Sequence, residues 1–318
     1  MEPVVLIVNP AAGRGLAGAK LSQVQDWVAK NAPHVLVRVT SAPGHASELV
    51  GATTAATRIV VVGGDGTVHE AVRGLAPRQK LGIVPIGSGN DIARMAGLLG
   101  GGLAQKLATA VWGETRSFDM GVVNGEPYVS SATAGLDAEV ARRALTAPRY
   151  LRGLPRYLWA LFAVIRSMEL PRASVRVDGR EVYQGPILIT AVMNSPTYGG
   201  GFHIAPMADP SDARLDLIWA QEFSKLGVIG ILPRLVLGRH VGHPRIGHRA
   251  GFEFEVEFDR EVQLQSDGEL LDASDSMRVR VEPAALQIAC ESAAREGLTL
   301  RAEKEPLEKA KPVAGALG

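Results

Sequence analysis

From Ile59 to Thr67 the chain reads Ile-Val-Val-Val-Gly-Gly-Asp-Gly-Thr, an apolar run that empties into glycines around one carboxylate. A second unit with the same grammar follows, Leu81 to Asp91, whose strand ends in Gly87-Ser88-Gly89-Asn90-Asp91. A third precedes both, Val4 to Gly15, passing through Asn9-Pro10 and the glycines at 13 and 15. Short continuous apolar strands alternating with amphipathic helices predict a parallel sheet covered on both faces. The strands are expected at Val4–Val8, Val35–Val39, Ile59–Val62 and Leu81–Pro85. The helices are expected at Gly18–Asn31, Ala46–Ala56, Thr67–Leu75, Asp91–Leu99 and Leu103–Val111. Ligands of such sheets sit at the carboxyl ends of the strands, where these glycines fall. Glycine lets backbone N–H groups approach an oxyanion closely, and helix N-termini add favourable partial charge. The expected ligand is a nucleotide's phosphates.

Past about residue 120 the pattern changes to short β-runs separated by turn signals, among them Asn124-Gly125, Asp178-Gly179 and Asp267-Gly268. Helical stretches interrupt at 138–168 and 225–237. The expected organisation is an α/β domain over residues 1–122 and an antiparallel β-sandwich over 123–298. A charged tail over 299–318 is expected to pack back on the first domain and then fray. A length of 318 residues favours two cores over one.

Composition narrows the class. Lys and Arg number 34 against 33 Asp and Glu, so no strongly basic nucleic-acid binder is expected. The single cysteine, Cys290, excludes a disulfide framework and a cysteine-built zinc site. No apolar run is long enough to span a bilayer, and the chain starts directly on a strand. A cytoplasmic protein resting at most on an inner membrane face is expected.

The glycine motifs carry the chemistry. Gly63, Gly64, Asp65, Gly66 and Thr67 exceed what a tight turn with Thr67 as helix cap requires, and a carboxylate beside a phosphate nest calls for a divalent cation or a proton. Glu70 completes a capping box with Thr67 or serves as a ligand. In the second loop Gly87 and Ser88 offer backbone and hydroxyl contacts, and Asn90 or Asp91 caps the next helix. The first loop contains a formal G-x-G-x-x-G at Gly13, Gly15 and Gly18, the dinucleotide fingerprint of an NAD(P)-dependent oxidoreductase. That reading wants an acid after the second strand, where Thr40-Ser41 stands instead. It also leaves the two later loops unexplained. A Walker A sequence is absent. A non-catalytic nucleotide-binding protein is a third reading.

In the second domain, Asp267 and Glu269 flank a hairpin glycine and supply a base for a hydroxyl nucleophile if the hairpin faces the glycine loops. The stretch from Tyr198 to Asp216 joins a glycine run to Asp209, Asp212 and Asp216, either a hard-cation loop or a solvated one. Residues 141–172 carry seven arginines (142, 143, 149, 152, 156, 166 and 172) against one acid, Glu169, with aromatics interleaved. Such a stretch is either a solvated helix face or a contact with an anionic membrane surface.

Together these segments resemble the diacylglycerol kinase catalytic family, in its bacterial soluble lipid-kinase branch related to sphingosine and ceramide kinases. The matching pieces run in family order from Asn9-Pro10 through Gly63–Thr67, Pro85–Asp91, Gly135-Leu136-Asp137, Gly199–Pro206, Leu215–Leu217 and His243-Pro244 to Asp267–Glu269. The resemblance implies ATP and Mg²⁺ as cofactors, a lipid hydroxyl as acceptor, and a phospholipid such as phosphatidic acid as product. It implies nucleotide contacts at Asn9, Thr40, Gly63–Thr67, Glu70 and Ser88. It implies Glu269 as proton acceptor, with Asp65 near the transferring phosphate. A magnesium loop would use the Asp212 carboxylate and the backbone carbonyls of Asp209 and Arg214. Ser88 stands where the family usually has threonine, and Ala213 where it usually has glycine. Oligomeric state is left open, a homodimer included.

Overall fold

The computed structural model describes residues 2–148, 150–151, 154–167 and 169–291. The tail expected over 299–318 lies outside the described residues, as do Arg149 and Arg152 of the arginine stretch.

The first sheet begins with parallel strands β1 (Val4–Val8), β2 (Leu36–Val39), β3 (Arg58–Gly63) and β4 (Lys80–Pro85) in spatial order β2-β1-β3-β4. Helices α1 (Leu16–Ala19), α2 (Leu21–Asn31), α3 (His45–Gly51), α4 (Asp65–Gly74), α5 (Asp91–Met95) and α6 (Leu103–Trp112) connect them. Every residue of β3 is buried because both its faces are covered. On one face Ile7, Val61 and Ile83 meet Val50 of α3 and Val68 of α4. On the other, Leu6, Val60 and Val84 meet Val24 of α2 and Leu107 of α6. Each such side chain contributes roughly 1.5–3 kcal/mol by leaving water. The helix expected over 18–31 is broken at Lys20, whose φ of −98° and ψ of 0° separate α1 from α2.

The second half runs β5 (Glu114–Val123), β6 (Glu126–Tyr128), β7 (Ser131–Gly135), α7 (Leu136–Leu145), α8 (Leu154–Ser167), β8 (Arg172–Val177), β9 (Arg180–Met193) and β10 (Leu215–Gln221). It continues with α9 (Lys225–Val236), β11 (Ile246–Gly251), β12 (Glu253–Val262), β13 (Leu264–Ser266), β14 (Glu269–Leu270) and β15 (Ser274–Cys290). The expected helix over 138–168 is two helices. All pairings among β7 to β14 are antiparallel. Val175, Phe254 and Met277 pack against Val192, Leu217 and Trp219 to form the sandwich core. Each of the three Asn-Gly or Asp-Gly turns closes a hairpin with φ positive at both residues, between 48° and 91°, as a two-residue turn of matching twist demands.

One feature of the chain path departs from the expected boundaries. The first half of β15 pairs with β12, but its end pairs in parallel with β4, Gln287 opposite Lys80 and Ile288 opposite Leu81. β5 runs beside both halves, across a register break between Glu282 and Leu286. The parallel sheet therefore continues into the antiparallel one, and the chain's last described strand belongs to both cores. The two domains are thus joined through a shared strand, and they meet again where Gly66 faces Glu269.

Candidate active site

The floor of the candidate site is built where β3 and β4 end. Gly64 caps α4, and the first amide bonded inside the turn is that of Thr67, to the Gly64 carbonyl at 3.0 Å. The amides of Asp65 and Gly66 therefore face out of the helix end, where the dipole favours an anion. The second glycine loop lies directly against the first: a Cβ on Gly64 would come within 2.9 Å of the Gly87 Cα. Asn90 shapes that loop. Its Oδ1 accepts from the Gly87 amide at 2.7 Å and its Nδ2 donates to the Gly87 carbonyl at 2.9 Å, at a φ of 53°. Ser88 stands exposed at the tip.

Two corrections concern the helix start. The expected cap at Thr67 is not made, because α4 begins two residues earlier and Thr67 is buried in its first turn. The Thr67 hydroxyl instead accepts from Asn9 Nδ2 at 2.9 Å, tying the loop after β1 to the glycine turn after β3. The capping box is likewise absent: Glu70 Oε2 accepts from the Ala46 amide of α3 at 3.3 Å. Thr40 is buried at the end of β2, its amide on the Val8 carbonyl. The G-x-G-x-x-G segment leads only into the single turn of α1, with Gly18 packed on Pro10 and donating to its carbonyl.

The β13–β14 hairpin closes over this floor from the second domain. Glu269 is exposed, and its Oε1 lies where a Cβ on Gly66 would be only 2.9 Å away. Any larger residue at position 66 would displace that carboxylate. Asp65 accepts from the amides of Ile92 and Asp91 at the start of α5. Burial raises its pKa above the usual aspartate value; those two amides oppose the shift, and the charges of Asp91 and Asp267 reinforce it.

Asp267, expected as a second catalytic carboxylate, has a different job. Its fully buried oxygens accept from the amides of Val129 (2.8 Å), Ser130 (2.7 Å) and Ser131 (3.1 Å), and one meets His69 Nδ1 at 3.1 Å. A carboxylate so committed ties the hairpin to the segment 129–131 and to α4. His69, on α4, was not anticipated. Burial works against its protonation, but the hydrogen bond and charge of Asp267, with Glu269 nearby, outweigh that and raise its pKa above the usual histidine value. A second crossing tie was also missed: the Gly200 amide donates to Asp91 Oδ2 at 2.6 Å, while Arg94 holds the Gly89 carbonyl at 3.0 Å. A histidine on the buried side of an amphipathic helix and an aspartate after glycines carry no local mark of the distant partner they meet.

The candidate magnesium loop precedes β10. Asp209 Oδ1 accepts from the Ser211 amide and hydroxyl, and Asp212 Oδ1 from the Arg214 amide at 2.9 Å. Ala213 adopts φ of 63°, the conformation the usual glycine would take freely, and donates to buried Asp119 at 2.7 Å. Burial raises the pKa of Asp212, with Asp209, Asp216 and Asp119 adding like charge. Among the described residues no three His, Cys, Asp or Glu side chains converge on one metal position. A cation here would thus depend on one carboxylate and backbone carbonyls.

The chain is similar to known proteins. Residues 3–123 match the family model of the diacylglycerol kinase catalytic domain, and residues 130–290 that of the YegS C-terminal NAD kinase beta sandwich-like domain. The chain belongs to the diacylglycerol kinase and YegS-like lipid kinase family. It is 31% identical over 261 residues to a protein of Pseudomonas aeruginosa named "Probable lipid kinase YegS-like", covering 79% of this chain and 83% of that one. It is 27% identical to a diacylglycerol kinase of Bacillus subtilis, over 85% of this chain and 90% of that protein. A solved diacylglycerol kinase structure from Bacillus anthracis shares the fold, with a TM-score of 0.68 and 20% identity over 92% of this chain and 98% of its own. So does an NAD kinase from Archaeoglobus fulgidus in complex with ATP, at a TM-score of 0.54 and 14% identity over 95% of this chain and all of its own. The first family match ends at residue 123 and the second begins at 130, while β15, within the second, pairs back onto β4 in the first.

Proposed function

We propose that this family member transfers the γ-phosphoryl group of ATP to a hydroxyl of diacylglycerol or a related lipid, giving a phospholipid such as phosphatidic acid. The observation that supports the reading is the placement of Glu269: a second-domain carboxylate lying over Gly66, at the open end of α4. The amides of Gly64–Gly66, Ser88 and Gly89 hold the phosphate oxygens, with Asn9 and Thr67 fixing the shape of the rim and Asn90 holding the Gly87 amide. Ser88 adds an exposed hydroxyl. Thr40, at the end of β2, and Glu70, on α4, are the remaining nucleotide contacts in this reading.

Glu269 accepts the acceptor's proton as the oxygen bonds to phosphorus, a contribution of roughly 10²–10⁴-fold. Most of the remaining acceleration comes from holding the reacting groups in line and neutralising charge. Asp65, whose carboxyl burial pushes above the usual aspartate range, stands at the open end of α4, a place that suits a divalent cation. Mg²⁺ would supply charge neutralisation there. A second, structural Mg²⁺ would rest on Asp212 with the carbonyls of Asp209 and Arg214.

The test is incubation of the full chain with γ-labelled ATP, Mg²⁺ and detergent-dispersed lipids, with products identified by mass spectrometry. A phosphorylated lipid that disappears in Asp65→Asn with the fold intact is the expected result. Absence of any phosphorylated lipid across diacylglycerols, sphingoid bases and other long-chain alcohols would overturn the reading.

A further inference from the structure

Helix α9 reads Lys-Leu-Gly-Val-Ile-Gly-Ile-Leu-Pro-Arg-Leu-Val and is apolar all round. A helix of that kind is ordinarily buried on every side. This one is buried on a single side, where Val228 and Ile231 join Ile165 of α8 over Leu188 of β9 and Ala220 of β10. Its opposite side faces outward. Leu226 is 81% exposed and Leu237, just past its end, 64%, with Ile229 and Val236 exposed between them. The neighbouring helix α8 packs on the same sheet face and turns Leu158 and Phe162 outward beside it. Lys225 Nζ joins the two helices by donating to the Arg166 carbonyl at 2.6 Å.

Charge identifies what covers this face. Helices α8 and α9 carry Arg156, Arg166, Lys225 and Arg234 and no acid at all. Of the acids next to them in the sequence, Glu169 is engaged with Arg260 at 3.4 Å, and Glu222 precedes α9. Two copies meeting through this face in a symmetric dimer would set cation against cation. An anionic bilayer suits both features: its headgroups attract the cations while the apolar side chains enter the acyl boundary. The surface also reaches the candidate site. Gly238 follows α9 and lies against His203 and Pro206, and the same loop carries half-exposed Phe202 and Gly200, which holds Asp91.

We propose that the outward face of α9, with the adjoining stripe of α8, seats this protein on an anionic membrane so that a lipid hydroxyl meets the candidate site; the clause about the hydroxyl rests on the kinase reading above. The full chain is sedimented with vesicles of phosphatidylcholine containing about one third phosphatidylglycerol, without nucleotide or acceptor lipid. The Leu226→Ser/Leu237→Ser variant is expected to partition at least about tenfold more weakly. Lys225→Gln/Arg234→Gln is expected to lose most of the preference for anionic over pure phosphatidylcholine vesicles. Both keep the parent's circular dichroism and its turnover of detergent-dispersed substrate. Parent-like vesicle binding by the serine variant, no vesicle binding by the parent, or a dimer that the serine substitutions dissociate would each overturn the proposal. A chain that binds vesicles but phosphorylates no dispersed lipid removes the kinase reading and leaves this surface standing.

Discussion

Two turns in this molecule are spelled almost alike, Gly64-Asp65-Gly66 in the first domain and Asp267-Gly268-Glu269 in the second, yet their aspartates do opposite work. Asp65 receives two amides from the start of α5, and burial leaves its carboxyl above the ordinary range. Asp267 receives three amides from the segment 129–131 and a histidine from α4. The difference lies in where donors arrive from, not in the residue or its glycine. Beside a helix end left open, a partly satisfied carboxylate suits ligand chemistry. Surrounded by donors, the same group becomes a fastener, and Glu269 two residues on inherits the open position.

The comparison breaks most visibly at Asp267. Asp267→Ala would leave three buried amides and His69 without their acceptor, at a cost of about 3–5 kcal/mol. Chemical denaturation should show that loss, and activity should fall with it because the hairpin carrying Glu269 loosens. A loss below about 1 kcal/mol would mean that the amides find water and that Asp267 is no fastener. Glu269→Gln sharpens the other side: stability should stay within about 0.5 kcal/mol while kcat drops roughly 10²–10⁴-fold. Equal kcat in the variant and the parent would remove Glu269 as proton acceptor.

These contrasts explain what could be read in advance. Continuous apolar runs ending in glycine need no partner to be recognised, so β3, β4 and their loops stand where periodicity places them. Asp-Gly and Asn-Gly turns are equally local, and all three close hairpins. The role of Asp267 depended on Val129 to Ser131, more than a hundred residues away in the chain. The split pairing of β15 with β12 and then β4 has no local signature either. Thr67 carried a true cap signal, but the deeper start of α4 at Gly64 overrode it and gave the hydroxyl to Asn9. In α9 the period is silent because both faces are apolar, so only packing reveals which one is left outside.

A smaller effect tests the histidine half of the fastener. The raised pKa of His69 means the folded state holds its proton more tightly than the unfolded chain. Its contribution is fully present below the ordinary histidine value and fades as pH climbs through the raised one. His69→Gln should cost on the order of 1 kcal/mol at mildly acidic pH and progressively less at basic pH. Thermal unfolding of both proteins across that range reads the difference. A constant gap would show that His69 contributes by packing alone.

The smallest effect extends the fastener argument to a third aspartate. Asp119 is buried and accepts from the amides of Ala213 at 2.7 Å and Ala284 at 2.8 Å, pinning two distant turns as Asp267 pins 129–131. Ala213 is held there at φ of 63°, which costs an alanine about 1–2 kcal/mol. Glycine would relieve that strain but loses more chain entropy on folding, by about 0.5–1 kcal/mol. Ala213→Gly should therefore stabilise the protein by roughly 0.5–1 kcal/mol, since the amide it offers to Asp119 is unchanged. Denaturation midpoints of the two proteins measure it. If glycine instead destabilises, the strain is not located at residue 213, and Asp119 holds a turn that the loop would adopt unaided.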